Sequence, residues 1–303
     1  MFTTINRIRK TIMTKIAAIQ MCSSHLVDEN LKSAAKLINE AAQNNAKLVV
    51  LPEMFAIMGL KPTDKIAVKE KFGQGKIQSF LAEHAKKNNV WIVGGTIPIE
   101  CKDENRVRAA SLVFDNKGEF ITRYDKTHLF DVVLSEKEIY KESDTTEPGN
   151  ELVVVDTPFG KLGLGVCYDI RFPELFRCLF NKGAEIIALP SAFTVPTGEA
   201  HWELLARSRA VENFCYLVGA CQGGTHSSGR KTYGNSIIVE PWGAISSKKE
   251  GVEPGVIYSN IDLKKIHDAR KSIPISNHQR IFFDTSDFDK NKAGSHEFTR
   301  SKL

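Results

Sequence analysis

Apolar runs of strand length alternate with segments of helical periodicity along most of this sequence, which restricts the chain to sheets covered by helices. Lys161-Leu162-Gly163-Leu164-Gly165-Val166-Cys167 is such a run, and Pro173, suited to the first turn of a helix, follows it closely. The same reading places strands at 15–21, 47–53, 90–98, 185–189, 216–221, 236–239 and 256–261. Helices fall at 29–45, with Asp28 as N-cap, and at 75–88, 173–182, 201–213 and 263–271. Two hairpins interrupt the alternation: 111–115 with 119–126 through Asn116-Lys117-Gly118, and 151–157 with 161–167 through Pro158-Phe159-Gly160. The class is therefore α/β with mixed sheets. No Pro/Gly/Ser-rich linker divides the 303 residues, so one domain over 13–282 is expected, with extensions at 1–12 and 283–303.

Three strands end on chemically active side chains. Cys167 stands at a strand-to-helix turn, where the following N–H, that of Tyr168, can face a developing oxyanion. Glu53 closes the run from Lys47, and Lys126 closes the run from Glu119. A thiol, a carboxylate and an ammonium at one sheet edge suit acyl transfer: Glu53 takes and returns a proton, Lys126 stabilises the oxyanion and favours the thiolate. General-base work by a glutamate near neutral pH requires partial burial, which the end of an apolar strand provides.

Leu51-Pro52-Glu53, Lys126-Thr127-His128-Leu129-Phe130-Asp131 and Gly165-Val166-Cys167-Tyr168-Asp169-Ile170-Arg171-Phe172-Pro173-Glu174 resemble the three signature segments of the nitrilase, or carbon–nitrogen hydrolase, superfamily. The resemblance runs over about 15–280 with all segments in order. It implies an α-β-β-α four-layer sandwich, a Glu53–Lys126–Cys167 triad, and a second acid at Glu142 that orients Lys126 and the substrate amide. It also implies self-association as a homodimer or larger assembly. Tyr168-Asp169-Ile170-Arg171 and Thr197-Gly198-Glu199-Ala200-His201-Trp202 look closest to the Nit branch, whose members hydrolyse deaminated glutathione or, as ω-amidases, α-ketoglutaramate. Gly223-Gly224-Thr225-His226, Gly229-Arg230 and Tyr233-Gly234-Asn235-Ser236 lean towards deaminated glutathione.

Substrate contacts are expected from Tyr168, Arg171, Thr197 and Glu199. The Arg171 fork matches a carboxylate, although Asp169 and Glu174 compete for it. Trp202 reads as packing, and His128 as support rather than as the base of a Cys-His pair. A catalytically inert binding protein with the same fold is the alternative of a different class.

The rest of the sequence excludes other classes. A net charge of +5 with lysines interspersed among acids shows no nucleic-acid footprint, and no apolar stretch approaches membrane-spanning length. Cys22, Cys101, Cys167, Cys178, Cys215 and Cys221 lack metal-ligand spacing, so neither metal nor cofactor is expected, and they read as reduced thiols, most of them in the core. A cytoplasmic location is expected. Alternatives are peroxisomal, from the terminal Ser301-Lys302-Leu303, and mitochondrial, from a basic start containing Arg7, Arg9 and Lys10.

Overall fold

The computed structural model describes residues 13–136 and 138–284. The basic start and the terminal Ser301-Lys302-Leu303 lie outside them. Two sheets stack face to face. In the first, Gly255–Ile261, Thr14–Gln20, Leu48–Val50, Trp91–Val93, Val107–Phe114 and Ile97–Glu100 lie side by side, with Phe120–Asp125 added to Val107–Phe114. In the second the order is Ile245–Lys248, Ile237–Val239, Tyr216–Cys221, Ile186–Ser191, Gly160–Leu164 and Val154–Thr157. The three central strands of each sheet run parallel, and their flanks are antiparallel.

The layering follows from side-chain alternation along the strands. Ile16, Ala18, Leu48 and Val50 pack towards the second sheet with Leu162, Leu164, Ala188 and Val218. Their neighbours Ala17, Ile19, Val49 and Leu51 face outward onto Leu31, Ala34 and Ile38. Those three lie on the inner stripe of the helix Val27–Gln43. On the other side, the helices Pro173–Asn181 and Glu203–Asn213 bring Leu175, Leu179, Ala206 and Ala210 onto the second sheet. Helix, sheet, sheet and helix make the four-layer sandwich implied by the resemblance.

Several boundaries differ from expectation for identifiable reasons. Asp28 does not cap its helix: Leu26 holds the N-cap position, and Asp28 and Glu29 occupy the first turn, where negative charge complements the dipole. The run 90–98 breaks at Gly94-Gly95-Thr96 into Trp91–Val93 and Ile97–Glu100. Gly95 has φ +53°, and a Cβ there would lie 2.0 Å from the Pro52 carbonyl oxygen. This close approach brings Thr96 Oγ1 to accept from Met54 N at 2.9 Å, fixing the backbone just beyond Glu53. The hairpin Asp131–Ser135 with Glu138–Lys141 and the edge strand Ile245–Lys248 were not expected, because both mix polar and apolar residues on exposed positions. Among the described residues no helix is long and apolar enough to cross a membrane.

Candidate active site

The active groups do not sit on strands; they sit just past them. Leu48–Val50 ends three residues before Glu53, Gly160–Leu164 three before Cys167, and Phe120–Asp125 immediately before Lys126. Ala192 and Gln222 follow the carboxyl ends of two further parallel strands, where open α/β sheets gather their ligands.

Cys167 opens a 3₁₀ turn, Cys167–Arg171, with φ +46°, a left-handed conformation that strains any residue with a Cβ. Asp169, fully buried, holds that turn. Its carboxylate accepts from Val166 N at 2.8 Å, Tyr124 Oη at 2.7 Å, and both the backbone N–H (3.0 Å) and the Nδ1–H (2.7 Å) of His128. His128 also stacks on Phe172, with ring centroids 3.7 Å apart. Hydrogen bonds to a charged acceptor contribute about 1.5–3 kcal/mol each, enough to hold a strained turn that costs about 1–3. His128 is thus support, as expected.

Lys126, 2% exposed, donates from Nζ to Glu53 Oε1 and to Glu142 Oε2, both at 2.8 Å. Glu142 also accepts from Phe130 N at 2.7 Å. Burial works against the Lys126 charge, but Glu142, Glu53 and Cys167 outweigh it and hold the ammonium well above the ordinary lysine range. Burial likewise works against the Glu142 charge, and Lys126 and then Lys65 outweigh it, so that carboxyl lies below its ordinary value. The thiol differs from expectation. Burial and the neighbouring Glu53 carboxylate push Cys167 well above the ordinary cysteine range, against the pull of Lys126 and the Ala192 N–H at 3.5 Å from Sγ. At rest the site holds a thiol beside a carboxylate, so the proton moves when attack begins.

All these groups open into one cleft of about 290 Å³ that Tyr168, Arg171 and Thr197 also line. Arg171 pairs with neither Asp169 nor Glu174: its Nη2 donates to His201 Nδ1 at 3.3 Å, and its guanidinium lies 5.9 Å from both the Tyr168 and Phe193 rings. Thr197 is buried and shares a 2.8 Å hydroxyl bond with Thr194. Glu199 is not brought to the site. A π-type turn, Gly198–Trp202, directs it to solvent while Trp202 is buried, its Nε1 donating to Asn235 O at 2.8 Å.

A family described as "Carbon-nitrogen hydrolase" matches residues 15–271. The chain belongs to this family. As a carbon–nitrogen hydrolase it acts on non-peptide C–N bonds. It is 38% identical to a deaminated glutathione amidase of Yersinia enterocolitica, over 88% of this chain and 93% of the relative. The human omega-amidase NIT2 is likewise 38% identical, over 88% of this chain and 95% of the relative. Among solved structures, Saccharomyces cerevisiae Nit3, a member of branch 10 of the nitrilase superfamily, aligns with a TM-score of 0.79 at 34% identity, covering 89% of this chain and 97% of that one.

Sequence reasoning missed other residues of this carbon–nitrogen hydrolase. Gln222 is fully buried between the sheets, donating to the Glu53 carbonyl oxygen at 3.0 Å and to Ser23 Oγ at 2.8 Å while accepting from Ser23 N. Lys65 and Arg230 line the cleft. Lys65 stands in the short helix Asp64–Ala67 with no motif around it, and Gly229-Arg230 reads only as a mark of the subgroup, not as a cleft residue.

Proposed function

We propose that this chain hydrolyses the amide of a carboxylate-bearing α-keto acid through a thioester on Cys167, with deaminated glutathione as the substrate and α-ketoglutaramate as the second choice. The observation that carries the reading is Lys126 Nζ held 2.8 Å from each of Glu53 and Glu142 in the cleft that Cys167 lines. As Sγ attacks the amide carbon, the thiol proton passes to Glu53, and the oxyanion is stabilised by Lys126 and the Tyr168 N–H. Glu53 then protonates the departing nitrogen, breaking the C–N bond. A water then gives a proton to Glu53 and attacks the thioester carbonyl, and Glu53 passes that proton to the Cys167 sulfur as the C–S bond breaks and the acid is released. Glu142 keeps Lys126 charged and aimed. Turnover of deaminated glutathione, α-ketoglutaramate and an N-carbamoyl amino acid, measured side by side, tests the reading. A preference for the N-carbamoyl compound overturns it.

Arg171 supplies the acid selectivity in this reading, because it lines the cleft with the His201 ring and two aromatic rings, and no carboxylate, as partners among the described residues. Arg171→Ala is expected to lower kcat/KM for carboxylate substrates by well over tenfold, about 2 kcal/mol or more, and for neutral amides far less. Equal losses on both would make Arg171 scaffolding.

The exposed side of Glu203–Asn213 supports self-association. Leu204 (65% exposed) and Val211 stand seven residues apart on one helical face, and Trp242 (64%) lies beside them, stacked on Phe214. A second copy of this chain is the expected occupant, giving a homodimer or larger assembly. Sedimentation should show no species as small as one chain, and Leu204→Glu should release it. A monomeric wild type sinks the idea.

A further inference from the structure

The cleft is lined by Lys61, Lys65, Lys126, Lys141, Arg171 and Arg230, against only Glu53 and Glu142. Both carboxylates are engaged by Lys126. Two of the remaining cations, Lys65 and Arg230, are partly buried and make no ion pair among the described residues. Lys65 Nζ donates to Thr146 Oγ1 at 2.6 Å, a neutral acceptor. Arg230 donates from Nη2 to the Ala192 carbonyl at 3.2 Å and lies over the Tyr140 ring at 5.3 Å, while its Nε is buried with no hydrogen-bond partner among the described residues. Thr145 also lines the cleft, is 6% exposed, and has an Oγ1 with no partner among the described residues. Burial pushes the Lys65 ammonium down, with Lys126 and Arg230 adding to the effect against the pull of Glu142. Buried donors without acceptors are costly unless a ligand meets them.

These groups and Arg171 have different partners. Lys65 bonds to Thr146, and Arg230 to the Ala192 carbonyl and the Tyr140 ring. Arg171 instead sits with His201, Tyr168 and Phe193. Glu53 lines the same cleft, and in the reaction given above it is where the departing nitrogen must come for its proton. Deaminated glutathione has a carboxylate on each side of the scissile amide, whereas α-ketoglutaramate has one, on the acyl side only.

We propose that Lys65, Arg230 and Thr145 form a second carboxylate receptor that takes the acid on the leaving-amine side of the substrate, while Arg171 takes the acid on the acyl side. The inference rests on the reading of the reaction given above and makes this receptor the element that distinguishes the larger amide from α-ketoglutaramate.

The first test is chemical and needs no variant. Converting the terminal carboxylate of deaminated glutathione to a carboxamide should lower kcat/KM on the wild-type protein more than tenfold, chiefly through KM, because the receptor is remote from the developing oxyanion. Arg230→Gln should cause a similar loss on deaminated glutathione, change α-ketoglutaramate less than threefold, and make the enzyme insensitive to the carboxamide. Parallel losses on both substrates would make Arg230 scaffolding for Ala192 and overturn the proposal, as would an unchanged kcat/KM for the carboxamide. Calorimetry on the Cys167→Ala protein separates the receptor from the reaction. There the carboxamide should bind more than tenfold more weakly than deaminated glutathione, and less than threefold more weakly once Arg230→Gln is added. This binding cycle holds or fails whichever amide the active enzyme prefers, and absence of measurable deaminated glutathione binding overturns the receptor.

Discussion

Cys167→Ala is expected to abolish turnover of every amide while leaving the melting temperature nearly unchanged. The sulfur is the atom that forms and breaks the covalent bond, so its removal leaves only the oxyanion donors and substrate binding. The packing loss is small because Cys167 sits in a turn fixed by Asp169, whose four hydrogen bonds do not involve the thiol. Cys167→Ser should fail almost as completely: a hydroxyl is a poorer nucleophile, and Glu53 would have to take a proton held far more tightly than that of a thiol. Trapped turnover should leave an acyl adduct on the Cys167 peptide in mass spectra. Cys215 should carry none, since it is buried in the core and does not line the cleft. Activity near the wild-type level in the alanine variant would sink the covalent mechanism.

What the sequence discloses and what it hides follow from the range of the interactions. Strands such as Thr14–Gln20 and Ile186–Ser191, and the inner stripe of Val27–Gln43, are written in local periodicity and are legible. Glu53, Lys126 and Cys167 are legible because each follows an apolar run within three residues, although the strands stop short of them. The hairpin Asp131–Lys141 is not, since its alternation is weak, and it is this hairpin that delivers Glu142 to Lys126. Gln222 and Arg230 act on partners 169 and 38 residues away, Glu53 and Ala192. Their neighbours in the chain carry no trace of that contact. The thiolate expected from Lys126 alone fails for a related reason: burial and the nearby Glu53 outweigh one cation, and neither can be weighed before the fold is known.

Lys126→Met is expected to lower kcat by about 10²–10³ with a much smaller change in KM, because the oxyanion that Lys126 faces exists only after attack. A rise in KM alone would make it a ground-state contact. The same variant carries a structural cost. It leaves Glu53 and Glu142 buried without their shared cation, and breaking a buried pair in this way costs about 3–5 kcal/mol, on the order of 10 °C in melting temperature for a domain of this size. The cost should depend on pH in a definite direction. In the wild type the Glu142 carboxyl lies below its ordinary value, so its contribution is fully present above the ordinary carboxylate range and is lost as pH falls through the depressed value. Without Lys126, burial opposes ionisation with only Lys65 and the Phe130 N–H to offset it, and the Glu142 value should rise above the ordinary range. Its contribution is then present at low pH and lost as pH increases through the raised value. The gap in melting temperature between the two proteins should therefore widen from pH 5 to pH 8. A gap that stays constant across that window would mean that Glu142 does not depend on Lys126 for its charge, and its place in the site would then rest on the Phe130 N–H alone.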